Sequence, residues 1–318
     1  MKKSFLDIPK PNTLVIPDIR WKYLVRSVLK GKNTFIIGPT GCGKTLAAKS
    51  VAQAFSDREF YYFNMGSTQD PRSALIGNTH FDKSTGTFFN ESSFVSAIRK
   101  EGSIILLDEL SRSHPDAWNI LMSVLDDEQR YLRLDEKVDR EIVKVANNVS
   151  FIATANMGVE YTSTKIIDRA LLNRFSVKLE MDFMNPEDEA TYLKNRFDIK
   201  SEKKLELLKS IIDIASHTRK AAFGNSSGTT EDYSGNLSNF ISTRDMVEIA
   251  ELINDEFTLL EIAETVIYPN FDKEGGVDSE RTYIKQLVQK YVTSVPDGSL
   301  QNLFSGGINS QSPNNPPF

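Results

Sequence analysis

The sequence predicts an α/β fold with a mostly parallel, buried sheet, followed by a smaller helical domain. Three observations carry that prediction. Short apolar runs alternate with helix-period segments over the first half, a glycine-rich loop joins the first run to the first helical stripe, and beyond Asn185-Pro186 the apolar residues fall at helical spacing.

The strand candidates are TFII at 34–37, FYYF at 60–63, SIILL at 103–107, VSFIATA at 149–155 and SVKLEM at 176–181. Their continuous apolar character suits strands covered on both faces. The first helix is expected after Lys44, where Ala48, Val51, Ala52 and Phe55 stand at i, i+3, i+4 and i+7. A second begins near Pro115, with Trp118, Leu121, Met122 and Leu125 at the same spacing and a proline suited to a first helical turn. In the helical part, Met246, Ile249, Ala250 and Ile253 form one stripe. The expected division is an α/β core over 1–185, a helical domain over 186–295 and a disordered or partner-bound tail over 296–318. The tail, like the Gly/Ser/Asn-rich stretch at 224–239, has too few core residues to fold alone.

At 318 residues, 40% apolar and 25% charged, the chain has the recipe of a soluble globular protein of about two domains, which excludes collagen, wholesale disorder and membrane-span classes. Lys plus Arg number 38 against 43 Asp plus Glu, a net charge of −5. That balance lacks the basic footprint of a dedicated nucleic-acid module, so nucleic acid ranks second among partners. One cysteine, Cys42, excludes an internal disulfide and a Cys-rich zinc knuckle and suits the reducing cytosol. The start, MKKSFLDIPKPN, has no apolar run behind its lysines, so export and membrane insertion are not expected and the location is read as cytoplasmic. His80, His114 and His217 have no metal-ligand spacing.

Directly after TFII comes GPTGCGKT at 38–45, which opens into the helical stripe. This is the phosphate loop G-x-x-x-x-G-K-[ST] between the strand and helix it requires, and it makes the fold a P-loop NTPase core. Gly38, Pro39, Thr40, Gly41, Cys42 and Gly43 curl so that backbone N–H groups face phosphates, and Thr45 and Leu46 open the helix whose N-terminus favours an anion. Lys44 reaches the β- and γ-phosphates, and the Thr45 hydroxyl ligates Mg²⁺. Cys42 is read as a small filler. At the end of SIILL, Asp108 and Glu109 place two carboxylates where nucleotide-bound Mg²⁺ supplies a compensating charge. Asp108 would hold the metal and Glu109 would polarise the attacking water. VSFIATAN delivers Thr154 and the amide of Asn156 to the same sheet end, and Arg169 and Arg174 precede the last strand. Ser242 and Asp245 form a capping box that fixes Arg244 in the first turn of a helix.

These segments resemble an AAA+ ATPase, specifically the MoxR-like group that includes metal-chelatase ATPase subunits and relatives of midasin and dynein modules. The resemblance runs from about Ile16 to Leu252, through GPTGCGKT, LIGNTHFDKSTGTFF, FVSAIRKEGSIILLDELSRSHPDAWNILMSVLDDE, FIATANM, RALLNRF and STRD. It implies ATP and Mg²⁺ as cofactors, a homo-oligomeric, hexameric ring, Asn156 as first sensor, Arg174 as an arginine finger in a neighbour's site, and Arg244 as second sensor in a helical lid. It also implies inserted hairpins at about 78–89 and 131–145 facing a central pore, where Phe81, Phe88 and Phe89 either grip a substrate or pack against a helix. Ser111-Arg112 departs from the Asn-Arg of many relatives, which leaves Arg112 free to face a neighbour. No von Willebrand A domain is fused within these residues, so such a domain would belong to a separate partner.

The expected function is an ATP-hydrolysing ring motor or chaperone that remodels a protein partner. Two alternatives are a DNA-directed motor and a slow nucleotide-gated scaffold. The first is disfavoured because Arg133, Lys137, Arg140 and Lys144 of the second hairpin are balanced by Asp135, Glu136, Asp139 and Glu141.

Overall fold

A computed structural model describes residues 8–83, 86–137, 139–156, 167–223 and 237–294. The chain opens with α1 (Asp18–Leu29), which precedes the helix expected to be the first. Trp21, Leu24, Val25 and Val28 are buried along it at i, i+3, i+4 and i+7, the same stripe rule that marks the next helix. Then come β1 (Thr34–Ile37), α2 (Lys44–Gln53), β2 (Phe60–Asn64), α3 (Pro71–Leu75), β3 (Gly77–Asp82), β4 (Gly86–Glu91), α4 (Ser93–Arg99) and β5 (Ile104–Asp108). They are followed by α5 (Pro115–Leu125), β6 (Tyr131–Arg133), β7 (Ile142–Lys144), β8 (Ser150–Ala155), α6 (Arg169–Leu172) and β9 (Val177–Glu180).

The five expected strands form one sheet in the order β2-β5-β8-β1-β9, with every pair parallel. Alternate residues feed opposite faces, as strand geometry requires. Phe35, Ile105, Leu107, Phe151 and Ala153 enter the core shared with α4 and α5, while Ile36, Ile104, Leu106 and Ile152 join the core beneath α1 and α2. Covering both faces this way explains why β1, β5 and β8 read as unbroken apolar runs, whereas the edge strands β2 and β9 are only partly buried. Parallel strands also bring their carboxyl ends to one edge. Ile37, Asn64, Asp108 and Ala155 all finish there, where open α/β sheets hold ligands.

Both inserted segments are antiparallel hairpins. β3 pairs with β4 and β6 with β7. Of the three hairpin phenylalanines, Phe89 packs against the core, whereas Phe81 and Phe88 are 74% and 45% exposed. Of the two alternatives, packing thus holds for Phe89. Glu91, the last residue of β4, pairs with Arg99 and Lys137, and both cations also pair with Glu141, so charges join the base of the first hairpin to the turn of the second.

Beyond β9 the chain is helical: α7 (Pro186–Arg196), α8 (Glu202–Phe223), α9 (Thr243–Asn254), α10 (Leu259–Ile262) and α11 (Glu280–Ser294). α7 starts at the proline because Asn185 accepts the Asp188 amide as N-cap and Pro186 takes the first turn. These helices bury their own core, with Leu193, Leu208, Ile211, Ile249, Ile284 and Val288 at its centre. The expected tail at 296–318 and most of the 224–239 loop lie outside the described residues.

One buried amide joins the elements that frame the site. Asn33, 1% exposed, donates from Nδ2 to the carbonyls of Leu125 (2.7 Å) and Arg174 (2.9 Å). Asn33→Ala removes both bonds and leaves two acceptors uncompensated, so urea unfolding should show a loss of about 2 kcal/mol with an unchanged m-value.

Candidate nucleotide site

The loop 38–43 leaves β1 between two neighbouring strands. The Gly38 amide donates to the Ala155 carbonyl at 3.3 Å, and the Met181 amide donates to the Ile37 carbonyl at 2.7 Å. A Cβ on Gly38 would lie 2.2 Å from the Met181 oxygen, so this position has no room for a side chain. Gly41, at φ +79°, is restricted twice: its backbone is left-handed, and a Cβ there would lie 2.6 Å from the Ser242 side chain. The loop therefore touches the helical part directly at the N-cap of α9.

Lys44 is buried at the start of α2, and its Nζ donates to the carbonyls of Gly38 (2.9 Å) and Pro39 (2.7 Å). Burial pushes its pKa below the ordinary lysine value, while Cys42, Asp108 and Glu109 pull the other way. Burial also pushes the Cys42 thiol up, which disfavours its reactive thiolate.

Asp108 ends β5 and is 6% exposed. Three hydroxyls from three elements donate to it: Thr45 Oγ1 of α2 at 2.9 Å, Tyr62 of β2 at 3.1 Å, and Thr154 of β8. Strand register makes this possible, because Asn64 pairs with Asp108 and Leu107 with Ala153. Burial, ahead of the Asp108 charge, raises the Tyr62 pKa, so the phenol remains a donor. Glu109 turns off the strand at φ +57°, a left-handed conformation that is rare for a residue with a side chain and concentrates at functional sites. Its amide donates to Thr154 Oγ1 at 3.0 Å. Gly66 backs its carboxylate, since a Cβ there would come 2.6 Å from Glu109 Oε2. Arg112 stands 3.9 Å from the same oxygen.

A cleft of about 310 Å³ collects these groups. Thr40, Gly41, Cys42, Gly43, Lys44, Thr45 and Leu46 line it together with Asp108, Glu109, Thr154, Asn156 and Arg244. Gly38 and Pro39 lie beneath, holding Lys44 through their carbonyls. The capping box of Ser242 and Asp245 is present, which puts Arg244 in the first turn of α9 as expected. Arg174 is not brought into this cleft. Its guanidinium donates to the carbonyls of Met122 and Ala170, each at 2.7 Å, and pairs with Asp126 at 3.3 Å. Arg169 begins α6.

Sequence reasoning missed several lining groups. Leu14, Val15 and Ile16 form an apolar wall with Met181, Met184 and Val247, and the α7 residues Tyr192 and Arg196 also face the cleft. Arg196 donates to the Tyr192 hydroxyl one turn away. The signal available was the i, i+4 spacing of that pair, which puts both on one helix face. Tyr62 and Gly66 had no local signal, because their role depends on β2 lying next to β5.

Among the described residues no group of three or more His, Cys, Asp and Glu side chains could hold a metal ion, and no helix is long and apolar enough to cross a membrane. The "Putative chaperone BssE" of Thauera aromatica is 34% identical over 165 residues, 52% of this chain and 55% of that protein, so the chain spans about half of BssE's length. An uncharacterized protein of Staphylococcus epidermidis is 28% identical over 193 residues, 59% of this chain and 70% of its own. A crystal structure of a "putative ATPase" from Cytophaga hutchinsonii aligns over 88% of this chain and 91% of its own at 18% identity, with a TM-score of 0.44. Residues 33–175 match the AAA domain (dynein-related subfamily).

Proposed function

We propose that the chain binds ATP with Mg²⁺ in this cleft, hydrolyses it within a ring of like subunits, and uses the cycle to remodel a protein partner in the cytoplasm. The observation that carries this reading is the convergence of the phosphate loop, the Asp108–Glu109 strand end and Arg244 of α9 on one cleft. The ring is taken as hexameric, with a protein substrate or a separate von Willebrand A domain as partner. Resemblance to a chaperone-named relative supports the protein-directed reading over a DNA motor.

The donor set fits Mg²⁺. The Thr45 hydroxyl and Asp108 carboxylate are hard oxygen ligands already 2.9 Å apart, and Mg²⁺ is ordinarily held by one or two such groups, with phosphates and water completing its shell. When bound, the ion would neutralise charge developing on the phosphates. Lys44 would move its ammonium hydrogens from the Gly38 and Pro39 carbonyls to the β- and γ-phosphates, and the loop amides would cradle the chain of phosphates. Glu109, carried past the strand end by its left-handed turn, would orient water for attack, with Asn156 beside it. Arg244 would bind the nucleotide from the lid, and the apolar wall of Leu14, Ile16, Met181 and Val247 suits a base. Arg174 lies outside its own chain's cleft, which supports action in a neighbour's site after release from Asp126.

Lys44→Ala should abolish nucleotide binding, whereas Glu109→Gln should keep it and lose turnover by about 10² or more. Calorimetry and steady-state ATPase assays separate the two, and equal loss of affinity in both variants contradicts the roles.

Arg174→Ala should bind ATP yet lose about 10³ in turnover, the usual scale for an arginine finger. Mixed with Glu109→Gln subunits it should regain activity, because some junctions then pair an intact Glu109 with an intact Arg174. A mixture of Lys44→Ala and Glu109→Gln should show no such gain, as both lesions lie on one side of the junction. Sedimentation checks that the variants co-assemble, and equal rescue in the two mixtures rejects action in trans.

A further inference from the structure

Arg219 of α8 is a buried cation with partners in three other places. Its Nη1 and Nη2 donate bidentately to Glu189 of α7 at 2.8 and 3.0 Å, and the Glu189 carboxylate is fully buried. Its Nε donates to the Ile241 carbonyl at 2.8 Å. Its guanidinium lies 4.5 Å from the ring centroid of Phe183, in the link from β9 to α7. The neighbouring Thr218 completes a clamp: its hydroxyl accepts the Ile241 amide at 3.0 Å and donates to the Ala215 carbonyl at 2.8 Å. Both polar groups of the Ile241 residue are therefore held by α8.

Ile241 immediately precedes Ser242, the N-cap of α9 that abuts Gly41 of the phosphate loop. Arg244 stands two residues further along. Hydrophobic burial alone could hold α7, α8 and α9 together, and a buried ion pair is often no better for stability than apolar residues of similar volume. It does set direction, because a planar guanidinium satisfies a carboxylate and a carbonyl only in one geometry. From this arrangement we infer that Arg219, oriented by Glu189 and assisted by Thr218, is a positioning residue that sets where Arg244 meets the nucleotide. Through Phe183 the same cation links that placement to the segment joining the sheet to the helical part. The inference rests on the proposed reading of Arg244 as a nucleotide contact.

The test is a double-mutant cycle in the full chain, read as affinity for the non-hydrolysable analogue AMP-PNP with Mg²⁺. Arg244→Ala should weaken binding about tenfold, the usual scale for a lost charge-assisted hydrogen bond. Arg219→Lys keeps the charge but cannot reach both the carboxylate and the carbonyl, and it should weaken binding severalfold while Arg244 is present. In the double variant it should add nothing. Should Arg219→Lys fail to fold, Thr218→Val, which removes the acceptor for the Ile241 amide, is put through the same cycle with the same expected result. Losses that multiply in the double variant, or no loss from the positioning variants alone, overturn the inference and leave Arg244 as a contact. An unchanged affinity in Arg244→Ala overturns the reading of Arg244 and the inference with it.

Discussion

A carboxylate buried at the end of a strand governs the arrangement around it. Asp108 follows four fully buried aliphatic residues and is itself almost covered. A buried charge without partners is expensive, so each adjacent element supplies a hydroxyl: Thr45 from α2, Tyr62 from β2 and Thr154 from β8. Those bonds require the strand order β2-β5-β8 and the register that levels Asp108 with Asn64. Thr154 serves twice, donating to Asp108 and accepting the Glu109 amide, so the two carboxylates are placed by one hydroxyl. Their different surroundings follow from local conformation. Asp108 remains within the strand among donors, and Glu109 leaves it through a strained turn toward Gly66 and Arg112.

At the same edge of the sheet the phosphate loop meets the helical part tightly. Gly41 faces Ser242 with no space for a methyl group, and Arg244 stands just beyond it in the first turn of α9. On the opposite side Arg174 is fastened to the end of α5 through Met122 and Asp126, and Asn33 secures the backbone of that same arginine. The proposed hydrolytic cycle therefore has two levers, one inside the subunit through α9 and one toward a neighbour through Arg174.

Much of this was legible because the informative residues are close in sequence. The phosphate loop is eight consecutive residues, and β1, β5 and β8 announced themselves as apolar runs since helices cover both faces at the centre of the sheet. Ser242 and Asp245 revealed the cap of α9 for the same local reason. What escaped depends on strand order or on packing between distant segments. Tyr62 reads as an ordinary strand tyrosine until β2 is set beside β5. Arg196 gains meaning only when α7 folds over the phosphate loop, and the Glu189–Arg219 pair joins residues thirty positions apart in helices whose apolar stripes gave no reason to single them out. α1 is a different case, an apolar stripe with ordinary helical spacing that precedes the more conspicuous glycine loop. Phe81, Phe88 and Phe89 illustrate the limit of pattern reading, since the three aromatics differ in burial within one hairpin.

The central claim is that the cluster around Asp108 is a metal-nucleotide site and not merely a buried structural post. Calorimetric titration of ATP into the wild type and Asp108→Asn, each with and without Mg²⁺, tests it most directly. Thr45 and Thr154 both donate to Oδ1 and can still donate to an amide oxygen there, while the Tyr62 hydroxyl on Oδ2 can turn to accept from the amide nitrogen, so the variant should remain folded and bind metal-free ATP like the wild type. The account predicts that Mg²⁺ tightens binding to the wild type and that this gain is lost in Asp108→Asn; an equal Mg²⁺-dependent gain in both proteins would contradict it.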